Sequence, residues 1–304
     1  MSSLNTKIGT LTLKNPVMVA SGTYGYGEEF HGDIYDILKL GAIVSKGISL
    51  KPREGNPMPR VIETASGMLN AIGLANVGVD VFLSEKLPFL TKTGATVIAN
   101  IFGSEVGDYS AVAEKLSGVK GVSAIEVNIS CPNVKAGGVQ FGTDPKEAYK
   151  VVAAVKKAYT GMILVKLSPQ VSDIVSIAKA VVDAGADAIS LINTIPAMAI
   201  DVDSRRPILS NITGGLSGPA IKPVALKLVY DVSRNVDVPV IGMGGIMNVD
   251  DALQFILAGA SAIQIGTANF VNPNIAIEII DGLENYCREN GIKSISELTG
   301  ALEV

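Results

Sequence analysis

The chain has 304 residues, 48% of them hydrophobic and 18% charged, with a formal net charge of −4 and a pI near 5.2. That composition supplies a large core and carries no signature of disorder, and the absence of a general basic field argues against nucleic acid or an anionic membrane as the main partner. Residues 1–7 contain no signal-type apolar run, and no segment approaches the ~18 apolar residues needed to span a bilayer, so a cytoplasmic protein is expected.

Short apolar, β-branched runs recur at 16–20, 42–45, 96–100, 124–128, 162–167, 188–192, 238–242 and 262–265 and read as strands. Most are followed by an amphipathic stretch of helical length. Residues 105–116, 145–158, 172–184, 219–234 and 249–258 read as helices, with Asp144-Pro145 and Asn248 as starting signals. Alternation of strand and helix calls for a parallel sheet. Eight such units in a chain of this length favour an α/β fold closed into a (β/α)8 TIM barrel, one domain over residues 1–304, ahead of a doubly wound open sheet.

In such a barrel the carboxyl ends of all the strands converge on one face, where the site forms. The residues at those ends are Ser21-Gly22, Ser45-Lys46-Gly47, Asn100, Asn128 through Cys131, Lys166, Asn193-Thr194, Gly244-Gly245 and Gly266-Thr267. A lone lysine at a strand end reads equally well as a snorkelling surface residue; eight polar ends together do not. Two connections, 47–76 and 194–217, are longer than a simple link and are expected to be lids or ligand walls.

Cys131 closes the segment Asn128-Ile-Ser-Cys-Pro-Asn133, with amide and hydroxyl neighbours that a core cysteine does not need. Such a setting suits a thiol that exchanges a proton with a bound substrate, although an inconsequential loop cysteine explains the segment alone equally well. Cys131 and Cys287 lie far apart with no Cys-x-x-Cys partner, so this chain lacks the ligand spacing for an iron–sulfur cluster or a structural zinc. His31 is the only histidine and reads as a surface or packing residue.

Glycines at 242–245 follow the seventh strand, and Gly266-Thr267 follows the eighth. These two loops are the usual phosphate site of a TIM barrel, and their backbone N–H groups hold an anion without a positive surface. The run Gly214-Gly-Leu-Ser-Gly218 reads as a mobile lid end or a further phosphate contact. A phosphate-bearing cofactor among lysines and amides fits flavin mononucleotide (FMN), with a lysine able to stabilise negative charge on the reduced ring. Pyridoxal phosphate, or a cofactor-free Schiff base on Lys166 or Lys46, competes with it but leaves Cys131 and its asparagines unexplained. No Gly-x-Gly-x-x-Gly follows a strand, which argues against a dinucleotide bound in the Rossmann manner.

The stretches Val44-Ser-Lys-Gly47, Lys51-Pro-Arg-Glu-Gly-Asn-Pro-Met-Pro-Arg60, Asn70-Ala-Ile-Gly-Leu74, Asn128-Ile-Ser-Cys-Pro-Asn133, Ile192-Asn-Thr194, Ile241-Gly-Met-Gly-Gly-Ile246 and Gly266-Thr-Ala-Asn-Phe270 resemble the dihydroorotate dehydrogenases of pyrimidine biosynthesis. The resemblance covers most of the chain and implies an FMN-binding barrel. It implies FMN contacts at Ser21, Lys46, Gly47, Asn100, Asn128, Lys166, Ile192, Gly218, Gly244, Gly245, Gly266 and Thr267. It implies substrate contacts at Lys46, Asn70, Ala71, Ile72, Gly73, Leu74, Asn128, Asn193 and Thr194, with Cys131 as catalytic base beside Lys46. In that chemistry dihydroorotate loses a proton from C5 to the base and a hydride from C6 to the flavin.

The membrane-associated class of the family has serine as its base and an N-terminal extension, so Cys131 and the N-terminus seen here resemble the soluble classes. The wording at 241–270 is most similar to the NAD-linked catalytic subunit (class 1B). That form implies a homodimeric core with two electron-transfer subunits carrying FAD and a [2Fe–2S] cluster, and no metal on this chain. A fumarate-linked homodimer is the alternative, with a Schiff-base lyase on the same barrel behind it. Ala71 departs from the Asn-Ser-x-Gly wording of the fumarate-linked form and removes one possible hydroxyl contact, which implies at most a change in affinity.

Overall fold

Eight short runs dominated by Val, Ile, Leu, Met and Ala, too apolar to face water on either side, become the parallel strands of a closed barrel in a computed structural model that describes residues 3–130 and 141–304. In chain order they are β1 (Val17–Val19), β2 (Ala42–Val44), β3 (Val97–Ile101), β4 (Ala124–Asn128), β5 (Met162–Lys166), β6 (Ala188–Leu191), β7 (Val240–Met243) and β8 (Ala260–Ile265). Each strand pairs with the next in sequence, and β8 closes on β1 with Gln264 beside Met18. The open doubly wound sheet is therefore excluded.

All eight expected strands are present, with ends shifted by a residue or two. The largest trimming is at β7, where Pro239 has no amide to give to the ladder; its carbonyl still accepts from Ile189 N at 3.0 Å. The expected helix at 145–158 is Pro145–Ala158, capped by Asp144, whose carboxylate accepts from the amides of Lys146 and Glu147. Asn248 likewise caps Val249–Leu257 through the amide of Asp251. The expected 219–234 helix starts as a 3-10 turn, Pro219–Ile221, and continues as the α-helix Lys222–Ser233.

Alternate strand residues serve two different cores. Val19, Ile43, Ala99, Val127, Val165, Ile189 and Ile263 pack outward against the helices. Met18, Ala42, Val44, Ile98, Ala124, Met162, Leu164, Ala188, Ile241 and Ala262 fill the barrel interior together with Ile8 and Leu13. The last two come from a hairpin, Thr6–Ile8 paired with Leu11–Leu13, that stops the amino-terminal mouth.

The two long connections after β2 and β6 are walls with structure of their own. Val61–Thr64, Gly67–Asn70, Thr213–Ser217 and Ile195–Met198 form one antiparallel sheet in which strands from both connections pair, Gly215 lying opposite both Asn70 and Pro196. The glycine run at 214–218, expected as a lid end or a further phosphate contact, is largely a paired strand of this sheet that lines the cavity.

Candidate active site at the carboxyl end of the barrel

The inward face changes character along five of the strands. Ile98 is followed two positions on by Asn100, Ala124 by Glu126 and then Asn128, Leu164 by Lys166, Ala188 by Ser190, and Ala262 by Gln264. Because side chains alternate along a strand, these polar groups stack directly above the apolar plug. They are all buried.

Glu126, fully buried, is satisfied by three donors: Asn100 Nδ2 at 2.6 Å, Gln264 Nε2 at 2.7 Å and the Ser190 hydroxyl at 2.8 Å. A buried carboxylate without such bonds would cost several kcal/mol. Lys166 is 5% exposed, and its one hydrogen bond among the described residues is a long one, 3.4 Å to the Ser21 hydroxyl. Burial pushes its ammonium pKa down, with Glu126 opposing that shift. Lys46, half-buried on the next turn of wall after β2, is also lowered, first by burial and then by the Arg60 guanidinium, against a smaller opposing effect of Glu29.

Beyond β4 the Asn128 carbonyl oxygen Oδ1 accepts from the amide and the hydroxyl of Ser130, at 3.2 and 2.6 Å. Asn193 donates from Nδ2 to the Ser130 hydroxyl at 2.7 Å, and its own Oδ1 accepts from the Thr194 amide at 2.8 Å. The ends of β4 and β6 are thus tied by a single run of hydrogen bonds through Asn128, Ser130 and Asn193. Cys131 itself, with Pro132 and Asn133, lies outside the described residues.

The segment 70–74 leaves the antiparallel sheet and bends back over the cavity, with Gly73 at φ +73° and Leu74 at φ +60°. A Cβ on Gly73 would stand 2.5 Å from the Asn56 amide, so no other residue fits there. Opposite, after β7, a Cβ on Gly245 would lie 2.8 Å from the Gly218 carbonyl and 3.0 Å from the Lys222 amide. The amides of Gly244, Gly245, Gly266 and Thr267 donate to no backbone carbonyl in the described turns and loops, which leaves this corner rich in free N–H groups.

One cavity of 1380 Å³ is lined by every expected FMN or substrate residue that falls among the described ones, from Ser21 and Lys46 through Asn70–Leu74 to Gly266 and Thr267. His31 is not part of its lining; it packs edge-on against Phe89 with Nδ1 3.9 Å from Asp36. Ser130 enters the sequence reading only as a neighbour of Cys131, and Glu126 and Gln264 do not enter it at all. Their signal was present: a Glu and a Gln inside otherwise apolar strands are costly to bury and call for a reason.

The fit to FMN can be judged from these groups. Asn100 Oδ1 and Gln264 Oε1 are buried acceptors with no partner among the described residues. Together with an ammonium short of partners at Lys166 and the glycine turns at 244–245 and 266, they match a flat polar ring at one end and a phosphate at the other.

Fold and cavity together define a protein of the TIM-barrel class with a polar cavity at the carboxyl ends of its strands. A sequence model of the family described as dihydroorotate dehydrogenase matches residues 3–287. Among similar proteins, "Dihydroorotate dehydrogenase B (NAD(+)), catalytic subunit" of Trichlorobacter lovleyi is 58% identical over 301 residues, covering 99% of both chains. Proteins of the same name from Geotalea uraniireducens and Geobacter sulfurreducens are each 57% identical, covering 98% and 99% of this chain and 98% of their own. The chain belongs to the dihydroorotate dehydrogenase family, whose members are flavin-using oxidoreductases. Among its described residues no helix is long and apolar enough to cross a membrane.

Proposed function

We propose that this chain is the catalytic subunit of an NAD-linked dihydroorotate dehydrogenase, oxidising (S)-dihydroorotate to orotate for pyrimidine synthesis. The observation that carries the reading is the single cavity in which Lys46, Asn128, Asn193 and the 70–74 segment face Lys166, Asn100 and the glycine turns. Together these supply one set of groups for an organic acid and another for a flavin nucleotide. The name shared by the similar proteins supports NAD as the final acceptor and a partner subunit in the assembly. On this reading two partner subunits with FAD and a [2Fe–2S] cluster attach to a homodimeric core, and the protein is cytoplasmic.

The residues that would hold FMN are Ser21, Lys46, Gly47, Asn100, Asn128, Lys166, Ile192, Gly218, Gly244, Gly245, Gly266 and Thr267. When bound, the flavin supplies the hydride acceptor for C6 of the substrate. Lys46 offers its ammonium to negative charge in the site, and Asn70 with the backbone through Leu74, Asn193 and Thr194 orients the substrate ring. Ala71 contributes its backbone there. Asn128 and Ser130 line the cavity and immediately precede Cys131 in the sequence, whose thiolate would take the C5 proton. The C5–H electron pair then forms the C5=C6 double bond as hydride leaves C6. The glycine turns present N–H groups to the phosphate.

The test is a visible spectrum of the purified chain before and after anaerobic dihydroorotate, and then with NAD. Flavin bands that bleach with substrate and stay bleached with NAD are expected; a colourless chain that cannot be reconstituted with FMN would sink the reading. Cys131→Ala is expected to keep bound FMN and lose about 10²–10⁴-fold in the rate of bleaching, as removal of a general base does.

A further inference from the structure

Asn100 on β3 and Gln264 on β8, three strands apart around the barrel, both turn an amide nitrogen onto the same carboxylate. A carboxylate accepts and has no proton to give, so the amide N–H2 ends are held at Glu126 and the carbonyl ends are left facing away from it. Both carbonyl oxygens are buried and accept from nothing in the described chain. Both residues line the cavity, whereas Glu126 and Ser190 do not. A Cβ at Gly47 would come within 3.1 Å of Asn100 Oδ1, so the glycine leaves that oxygen open. Glu126, Ser190 and Gln264 come from even-numbered strands, which in a barrel of this kind contribute to one interior layer. The layer thus acts as a fixed polar floor.

We propose that Gln264 is a cofactor-binding residue and Glu126 a positioning residue: Glu126 locks the Asn100 and Gln264 amides so that two carbonyl oxygens are offered upward to an N–H edge of the flavin ring. The inference rests on the flavin reading above. Burial assigns this floor to the cofactor, because the substrate must enter and leave with each turnover while the most deeply buried groups stay covered. An oxidised isoalloxazine has one ring N–H, its imide, and two bare carbonyls on a preset floor select it over a ring that lacks the donor. The fixed geometry also costs no rearrangement when the ligand arrives.

Apo-protein is titrated with FMN and with N3-methyl-FMN, following flavin fluorescence. The wild type should prefer FMN by about tenfold or more, the loss expected when a buried acceptor goes without its donor and a methyl group is forced against it. Glu126→Gln places an amide where three donors converge, so one neighbour must turn over or lose its bond; Gln264→Met removes one acceptor at similar volume. Both should keep the circular-dichroism spectrum of the fold and reduce the preference several-fold. Ser190→Ala, which removes a donor to Glu126 without touching the cavity, should leave the preference as in wild type. An unchanged preference in Glu126→Gln and Gln264→Met, or an equal loss in Ser190→Ala, would overturn the inference. So would variants that bind both flavins normally but lose orotate affinity, since the floor would then read substrate. A wild-type chain that binds neither flavin would instead strike at the flavin reading itself.

Discussion

At the scale of single residues the site is set by how far its charges are removed from water. Lys46 is held below the ordinary lysine range by burial first and by the Arg60 guanidinium second. A lowered ammonium pKa means that the positive charge is lost at a lower pH than on a solvated lysine, so under the proposed function carboxylate binding by Lys46 should weaken as pH rises through that value. Arg60 is not part of the cavity lining and spends its hydrogen bonds on the Glu54 and Asn56 carbonyls, each at 3.4 Å. Arg60→Gln removes one of the two depressing influences, and the alkaline rise of KM for dihydroorotate should move to higher pH. A KM profile that stays put or moves to lower pH would contradict this coupling. The Cys131 limb runs the other way. A free thiol titrates near ~8.5, so kcat should climb toward that pH in wild type and in Arg60→Gln alike.

Secondary elements decide which of these residues meet. The wall over the cavity exists because strands from two distant connections pair, and Gly215 sits at a tight point: a Cβ there would lie 2.0 Å from Thr194 Oγ1 and 2.6 Å from its Cβ. Gly215 is paired on both sides, to Asn70 and to Pro196, so the strand has no direction in which to retreat. Gly215→Ala must displace Thr194, and KM for dihydroorotate should rise by about tenfold, the effect of roughly 1.4 kcal/mol of lost binding. FMN affinity should stay as in wild type; a parallel loss of flavin would show that the wall supports the cofactor as well. The eight barrel strands were legible because a run buried on both faces must be mainly apolar. This sheet was not. Thr213–Ser217 is Thr-Gly-Gly-Leu-Ser, with no alternation and little β propensity, and it is ordered by its partners rather than by its own composition. The hairpin at Thr6–Ile8 and Leu11–Leu13 went unread because three residues a side give too few positions for a period to show. Among site residues, the polar strand ends were legible by their place in the eightfold count. Glu126 and Gln264 were not, because their meaning comes from facing each other across a closed barrel, which strand-by-strand reading does not display.

The whole molecule separates stability from chemistry along the barrel axis. The amino-terminal half of the interior is apolar and stoppered by Ile8 and Leu13, with Gly9 turned so closely against Met162 that a Cβ would stand 2.9 Å from its terminal methyl. The carboxyl-terminal half carries Glu126, Lys166, Asn100 and Gln264, buried groups that cost stability unless partnered. If the division is real, the two halves should fail independently. Ile8 is fully buried in the stopper, and Ile8→Ala leaves a cavity that should cost about 2–5 kcal/mol and lower Tm by several degrees. The same variant, measured below its Tm, should bind FMN with the wild-type Kd and turn over at the wild-type rate per bound flavin. Saturating FMN should raise Tm by the same free energy in both proteins, since a ligand held only by the upper half stabilises by its own occupancy, about 2.7 kcal/mol at a hundred times Kd. A drop in FMN affinity in Ile8→Ala would mean that the stopper sets the height of the polar floor, and that the barrel interior works as one packed column rather than as two layers with separate tasks.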